Sequence, residues 1–414
     1  MLSETLEGGR FSGVCLSEAF EKYGFSYQEK RFVNRLYMGT LEKLVFLDYC
    51  IDSFSKTPVK KMKPAIRNIL RMSAYQIIFM DSVPSYAAIS EALKLTGKRG
   101  FQGLKGFVSG VLRNLEREYN SLSFPDWVKA SVPEWLYDMV LEQYGKEDCL
   151  KFFEAAEKKE EGINIRLNLA KGEPSEIIKN LEQEGCLVRP KEAFKGAYVL
   201  SGFENLTELK AFKEGLFIAQ DAASMQAVEE AAKHADKGKV KNIIDLCASP
   251  GGKSLYMAEK FPDAIITARD KSEDKVKLID ENIKRLGIKN IRTGCFDATE
   301  KDPALNGTAD IVIADLPCSG LGTIFHKPDI LYRLKKEDLD SLSGLQRDIL
   351  SAASEYLRKD GILAYSTCTI NKKENEENMK WFSENYGFAC ISERTYLPGR
   401  DFCDGFYVAV ATKK

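Results

Sequence analysis

The sequence predicts a multidomain protein: an all-α amino-terminal domain, a small α+β middle domain, and an α/β carboxy-terminal domain built on a doubly wound parallel sheet. Three observations predict it. The chain has 414 residues, more than one ordinary core accommodates. Its first part carries apolar residues at helical spacing, and from Lys241 short apolar runs alternate with amphipathic helices. The boundaries fall at 1–122, 123–215 and 216–414.

In the first segment Ile66, Ile69, Leu70, Ala74, Ile77 and Ile78 share one helical face, as do Phe107, Val108, Val111, Leu112 and Leu115. Pro84 and Gly100 separate such helices. Turn-forming residues over 121–133 mark the first boundary. The middle segment mixes a helix over Trp135–Tyr144 with strand-like runs such as Ile163–Asn168, whose alternation suits a half-exposed strand. Beyond Lys241 the strands are expected around Ile243-Ile244, Ala264–Ala268, Ile311–Ala314 and Ile362–Tyr365. Between them, Val276, Ile279, Ile283 and Leu286 form a stripe that Gly287 stops. Leu339, Leu342, Leu345, Ile349, Ala353 and Leu357 form another.

Composition excludes several classes. The chain is 44% hydrophobic and 29% charged, as globular proteins are, and no apolar run approaches the roughly 18 residues a membrane helix needs. The amino terminus lacks a secretory pattern, so a cytoplasmic protein with reduced thiols is expected. Ten cysteines include no CxxC pair, and His234 and His326 are the sole histidines, so no metal site is expected. Net charge is −1, but Lys56, Lys60, Lys61, Lys63, Arg67, Arg71, Lys94, Lys98, Arg99, Lys105 and Arg113 face only Asp81 and Glu91 across 56–114. That excess reads either as a solvated helical surface or as a platform for phosphates.

In a doubly wound sheet, ligands bind beyond the carboxyl ends of the strands. Five strand ends carry Asp245–Ser254, Asp270, Asp297, Asp315–Gly320 and Ser366–Thr369 in turn. Gly252-Lys253-Ser254 imitates the end of a P-loop, but Cys247 stands where its first glycine belongs, which disfavours phosphate. Gly251-Gly252 instead lets backbone approach a small ligand at a helix start, and Asp270 is placed for two ribose hydroxyls. Those features fit a dinucleotide or S-adenosylmethionine, and the missing GxGxxG weighs against the dinucleotide.

Cys318 and Cys368 decide the reaction class. Each sits among small polar turn residues, and if the fourth and fifth strands are neighbours both thiols face one crevice. Carbon 5 of cytosine is a poor nucleophile, but a thiolate added to carbon 6 converts the ring to an enamine that attacks an electrophilic methyl group. Asp315 is suited to hold the ring's N3 and exocyclic amine and to supply the proton that favours addition.

At these motifs the sequence resembles the Sun (Fmu) family of RNA 5-methylcytosine methyltransferases. The matching pieces are Asp245–Ser254, Asp315–Gly320, Pro328-Asp329, Gln346 with Ile349-Leu350, Tyr365–Thr369, Glu374-Asn375-Glu376 and Asp404–Tyr407. The helical region resembles the NusB fold through Pro64–Arg71, Val83-Pro84 with Ala88–Ala92, and Phe107–Arg113. The resemblance implies a NusB-like RNA-binding domain, a linker subdomain for RNA recognition, and a Rossmann-like class I methyltransferase domain. It implies that S-adenosylmethionine is contacted by Cys247, Ala248, Ser249, Pro250, Gly251, Gly252, Lys253, Asp270, Asp297 and Asp315. It further implies that Cys368 is the nucleophile and that Cys318 helps release product, with Asp315 and Lys253 completing the catalytic set. The implied substrate is a cytosine of 16S ribosomal RNA; the protein is expected to be a monomer, with no membrane or metal partner.

Four positions depart from the family pattern. Leu316 stands where Ala or Pro is frequent, Ser249 where a second Ala is common, and His326-Lys327 where arginines are frequent. The last change keeps charge on an RNA-facing loop but removes bidentate phosphate contacts. The competing readings are the same chemistry on another RNA such as tRNA, a non-catalytic RNA-binding assembly factor, and an ATPase.

Overall fold

The computed structural model describes residues 1–155, 162–401 and 403–413. Two compact units form, one of Met1–Cys149 with Ile324–Lys336, the other of Leu150–Thr323 with Glu337–Lys414. The first unit is helical. Its helices include Ser12–Tyr23, Tyr27–Glu42, Leu44–Phe54, Pro64–Phe79, Ser85–Lys98 and Lys105–Glu118. Local chemistry sets their ends: Ser26 and Glu29 form a reciprocal capping box, Pro64 opens one helix, and Gly24 closes another at φ 58°. Both predicted stripes point inward, with Ile66, Leu70, Ala74, Val108, Val111, Leu112 and Leu115 buried together. Gly39 admits Tyr75, whose hydroxyl lies 2.0 Å from where a Cβ would stand.

The segment Ile324–Lys336, far along the chain, completes this unit. The Ser12 hydroxyl donates to buried Asp329 at 2.5 Å, Tyr332 donates to the Leu41 carbonyl, and the Arg333 guanidinium lies 3.9 Å from the centre of the Phe11 ring. His326 and Lys327 remain exposed. The division expected at residue 122 is crossed by aromatic packing: Phe124 lies 4.7 Å from Phe46, and Trp127 meets Tyr49 edge-on. The helix expected over Trp135–Tyr144 runs as Glu134–Glu154, with non-helical backbone at Gly145.

Part of the basic excess is spent internally. Arg71 is buried and donates to both oxygens of Asp48 at 2.7 and 2.6 Å, and Arg67 pairs with Glu7. Lys56, Lys60, Lys61, Lys63, Lys98, Arg99 and Arg113 stay exposed. The candidate phosphate platform is therefore smaller than the sequence suggested.

The second unit holds two sheets. Strands β1 (Ile163–Leu167), β2 (Leu187–Pro190), β3 (Ala197–Ser201) and β4 (Phe217–Ala219) form an antiparallel sheet in the order β2-β3-β1-β4. β1 is not the half-exposed strand its alternation implied. Arg166 is buried, donates to Gln220 at 2.9 Å, pairs with Glu259, and lies 4.3 Å over the Tyr256 ring. Its polar face thus packs on protein. The division expected at residue 215 falls inside this unit, because Asn168 donates to the Gly215 and Leu286 carbonyls and Arg285 to those of Phe212 and Phe217.

The larger sheet comprises β5 (Asn242–Asp245), β6 (Ile265–Asp270), β7 (Ile291–Cys295), β8 (Ala309–Asp315), β9 (Leu357–Thr367), β10 (Phe388–Tyr396) and β11 (Phe406–Lys413). Its order is β10-β11-β9-β8-β5-β6-β7. β9 through β7 are parallel, as expected, while β11 enters antiparallel beside β9. The near-continuous apolar strands follow from burial on both faces. One face packs on helices Ala222–His234 and Gly252–Lys260, the other on Asp338–Tyr356 and Glu376–Tyr386. Gly287 caps helix Glu273–Leu286 at φ 76°, and Leu357, read as the end of a helical stripe, begins β9.

The buried Arg71–Asp48 pair gives the first test. Asp48→Ala strands a guanidinium and is expected to cost about 3 kcal/mol, against under ~1 kcal/mol for Glu91→Ala at the exposed Lys94 pair, both read by urea unfolding.

Candidate active site

The ends of β5, β6, β7, β8 and β9 lie on one edge of the sheet, and the expected catalytic and cofactor residues stand at or just beyond them. After β5 the chain turns through Asp245–Gly251 and enters helix Gly252–Lys260, with Gly251 at its N-cap at φ 104°. Only glycine adopts that conformation without strain, and the helix start leaves amide groups free to meet a ligand. The Lys253 ammonium is buried and donates to Asp315 Oδ2 at 2.6 Å and Ser224 Oγ at 2.7 Å. Ser254 donates to Asp245 Oδ2 at 2.6 Å. Both groups a P-loop would turn to phosphate and metal are thus committed inward, which removes the basis of the ATPase reading.

Asp270, buried at the end of β6, accepts from the Ser249 amide at 3.3 Å and pairs with Lys275 at 3.3 Å. Asp297 follows β7, and the Thr299 amide and hydroxyl hold its carboxyl below the usual range. The Cys247 thiol is pushed up by burial and by the nearby carboxylates, so it is no thiolate. Ala248 is buried, its amide bonded to the Arg269 carbonyl at 2.8 Å. The Pro250 carbonyl accepts from Asn282 at 3.0 Å. Acceptor carboxylates at neighbouring strand ends, beside a glycine-opened helix, suit a nucleoside that offers hydroxyl and amino donors.

β8 and β9 are direct neighbours, with Asp315 opposite Ser366. This register brings Cys318 and Cys368 together, their sulfurs 3.3 Å apart although fifty positions separate them. Asp315 Oδ1 accepts from Ser366 Oγ at 2.7 Å, so its carboxylate is held from both sides, by Ser366 and Lys253. The Cys318 thiol is raised well above its ordinary range, first by its hydrogen bond to Cys368, then by burial and by the charges of Cys368 and Glu374.

Sequence reasoning missed several contributors. Ser224 sits on helix Ala222–His234, 29 positions before Lys253, and its spacing carried no motif. The Phe406 ring centre lies 5.5 Å from the Lys253 ammonium. Ser319, Gln346, Glu374 and Asn378 form a buried polar floor, of which Ser319, Gln346 and Glu374 stood in motifs, without a role.

The chain matches the family model "16S rRNA methyltransferase RsmB/F" over residues 234–411 and the "NusB family" over residues 3–117. It is 32% identical to a probable ribosomal RNA small subunit methyltransferase B of Bacillus subtilis (strain 168), over 91% of this chain and 85% of that protein. It is 31% identical to the ribosomal RNA small subunit methyltransferase B of Vibrio cholerae, over 91% of this chain and 88% of that one. Among solved structures, PH0851 superposes with a TM-score of 0.81 at 26% identity, covering 96% of this chain and 93% of that one. NSun6 from Pyrococcus horikoshii with SFG shares the fold at a TM-score of 0.60 and 22% identity, covering 68% of this chain and 98% of that one.

Asp245 supplies a pH test. Burial pushes its carboxyl up to about 7, against the pull of its Ser254 hydrogen bond and of Lys253. A carboxyl raised on folding stabilises fully below its unfolded value near 4, and that contribution is lost as pH climbs through about 7. Asp245→Asn cannot ionise. Its stability relative to the parent chain is expected to improve between pH 4 and 7 by up to about 1.4 kcal/mol per pH unit, measured by urea unfolding.

Proposed function

Because the chain belongs to the 16S rRNA methyltransferase RsmB/F family, we propose that it methylates carbon 5 of a cytosine in 16S ribosomal RNA through a covalent Cys368 adduct. One observation carries the reading: two thiols in contact at adjacent strand ends, beside a carboxylate anchored by a lysine. A binding protein has no use for that arrangement.

Asp270, Asp297 and Asp315, with Cys247, Ala248, Ser249, Pro250, Gly251, Gly252 and Lys253, would hold S-adenosylmethionine, which supplies an electrophilic methyl group when bound. The target base has to leave any stack to reach the sulfurs, which is easiest in single-stranded or disrupted RNA. Cys368 as thiolate bonds to C6 and the C5=C6 electron pair moves to C5, while N3 takes a proton passed from the Lys253 ammonium through Asp315; C5 then takes the methyl group. Asp315, held by Lys253 and Ser366, also accepts from the exocyclic amine. Once Cys368 is a thioether, it no longer accepts the Cys318 hydrogen bond or repels a second charge. Two causes of the high Cys318 pKa are then gone, and that thiol can lose its proton to solvent. As thiolate it takes the C5 proton, N3 gives its proton back to Lys253 through Asp315, the C5=C6 bond re-forms, and Cys368 leaves as thiolate. One proton is released per turnover.

The exposed lysines and arginines of the helical unit supply the grip on phosphates. Affinity for 16S RNA fragments is expected to fall linearly on logarithmic axes as salt rises, and a flat profile would sink that role. Cys368→Ala is expected to abolish 5-methylcytosine formation while leaving S-adenosylhomocysteine binding intact. Cys318→Ala is expected to accumulate a protein–RNA adduct that survives denaturing electrophoresis. Retained methylation by Cys368→Ala, or no adduct with Cys318→Ala, contradicts the assigned roles.

A further inference from the structure

The floor beneath the two sulfurs holds one carboxylate that the mechanism has not used. Glu374 is fully buried, and four donors surround it. Its Oε1 accepts from Ser319 Oγ at 2.6 Å and Asn371 Nδ2 at 3.0 Å. Its Oε2 accepts from the Ser319 amide at 2.8 Å and Gln346 Nε2 at 3.0 Å. Ser319 directly follows Cys318. Thr369, which directly follows Cys368, shares a 2.7 Å hydrogen bond with Ser319 Oγ. Gln346 Nε2 also donates to the Pro317 carbonyl at 2.9 Å, just ahead of Cys318.

A carboxylate only accepts, so the direction of this chain is fixed. The Ser319 hydroxyl spends its proton on Glu374 and therefore receives one from Thr369. Both cysteine turns are tied to a single anion, but unequally. The Cys318 turn bonds to it through both the amide and the hydroxyl of the very next residue. On the Cys368 side the next residue, Thr369, reaches it only through Ser319, and the one direct bond comes from Asn371, three residues on. We propose that Glu374 is a positioning residue that decides which of the two touching sulfurs attacks: its buried charge, fastened to the Cys318 turn, keeps Cys318 protonated and leaves Cys368 to act as thiolate. The inference rests on the catalytic reading above and extends it. The direction of the Cys318 shift agrees, with the charge of Glu374 among its causes and a Gly320 amide opposing it. Tyr365, which also faces Glu374 and Cys318, is itself held protonated by burial and adds no charge.

Glu374→Gln keeps the side chain's shape but removes the charge and turns an NH2 toward donors. Ser319→Ala is a milder change that cuts only the hydroxyl links. The test compares alkylation of Cys318 and Cys368 by iodoacetamide in the full chain, resolved by peptide mass spectrometry between pH 6 and 9. In the parent protein Cys368 is expected to label faster by at least roughly tenfold, the equivalent of one pKa unit. Glu374→Gln is expected to bring that ratio below about threefold and to lower kcat roughly tenfold or more, with KM for RNA and methyl donor nearly unchanged. Ser319→Ala is expected to shift the ratio in the same direction by a smaller factor. A residue that merely supports the fold would lower the unfolding temperature and leave the ratio alone. An unchanged ratio in either folded variant overturns the proposal. Because the labelling needs no methyl transfer, loss of this bias and loss of the Cys368 assignment in the Cys368→Ala assay are separate results.

Discussion

The pairing of β8 with β9 is the constraint from which the site follows. Parallel strands have one register, here with Asp315 opposite Ser366, and each chain continues past its last paired residue in a short turn. Cys318 lies three residues beyond Asp315, and Cys368 two beyond Ser366. Contact between their sulfurs is a consequence of strand alignment more than of any attraction between thiols. The turns are then locked to each other by backbone: the Leu316 amide donates to the Ser366 carbonyl, and the Gly322 amide to that of Cys368, both at 3.0 Å. Gly322 in turn has no room for a side chain, since a Cβ would stand 2.0 Å from the Gly405 carbonyl oxygen. A slip by one residue would turn every strand side chain to the opposite face.

Burying a polar floor under reactive groups requires that nearly all of its polar atoms be satisfied. Around the cysteines this is met by a connected network. Gln346, Ser343 and Arg347 from one helix meet Asn378 from the next, and Glu374, Asn371 and Thr369 complete it under the turns. Such a network orders itself, because acceptor-only and donor-only members leave the amides and hydroxyls one arrangement. Asp245 Oδ1 is an exception, buried without a hydrogen-bond partner. Burial raises its pKa against the pull of the Ser254 hydrogen bond.

The architecture was legible where periodicity and burial coincide. The inward stripes of helices Pro64–Phe79 and Lys105–Glu118, the Gly287 stop, and the parallel strands with acids at their ends all follow from patterns within a few turns of chain. Cys318 and Cys368 were legible as a pair once the strand order was guessed. Long-range polar packing was not legible. Arg166 reads as a solvent-facing residue of an alternating strand until its partners Gln220, Glu259 and Tyr256 are known. Arg67 and Arg71 read as free positive charge until Glu7 and Asp48 meet them. The antiparallel β11 escaped because an apolar run has no direction written in it. Glu374 lay inside a matching motif, but nothing local says that a carboxylate there is buried.

The insertion of Ile324–Lys336 into the helical unit has a bearing on how the protein is made. Asp329 meets Ser12 across 317 positions, and Tyr332 meets Leu41 across 291. A ribosome synthesising this chain delivers helices through residue 149 long before the piece that Ser12, Leu41 and Phe11 receive. The nascent helices must persist without it while more than half of the polypeptide is still to come, so their own apolar packing has to suffice in the interim. Contacts of such separation also form late and slowly. The helical unit is therefore the earliest part of the molecule to emerge and one of the last to be finished.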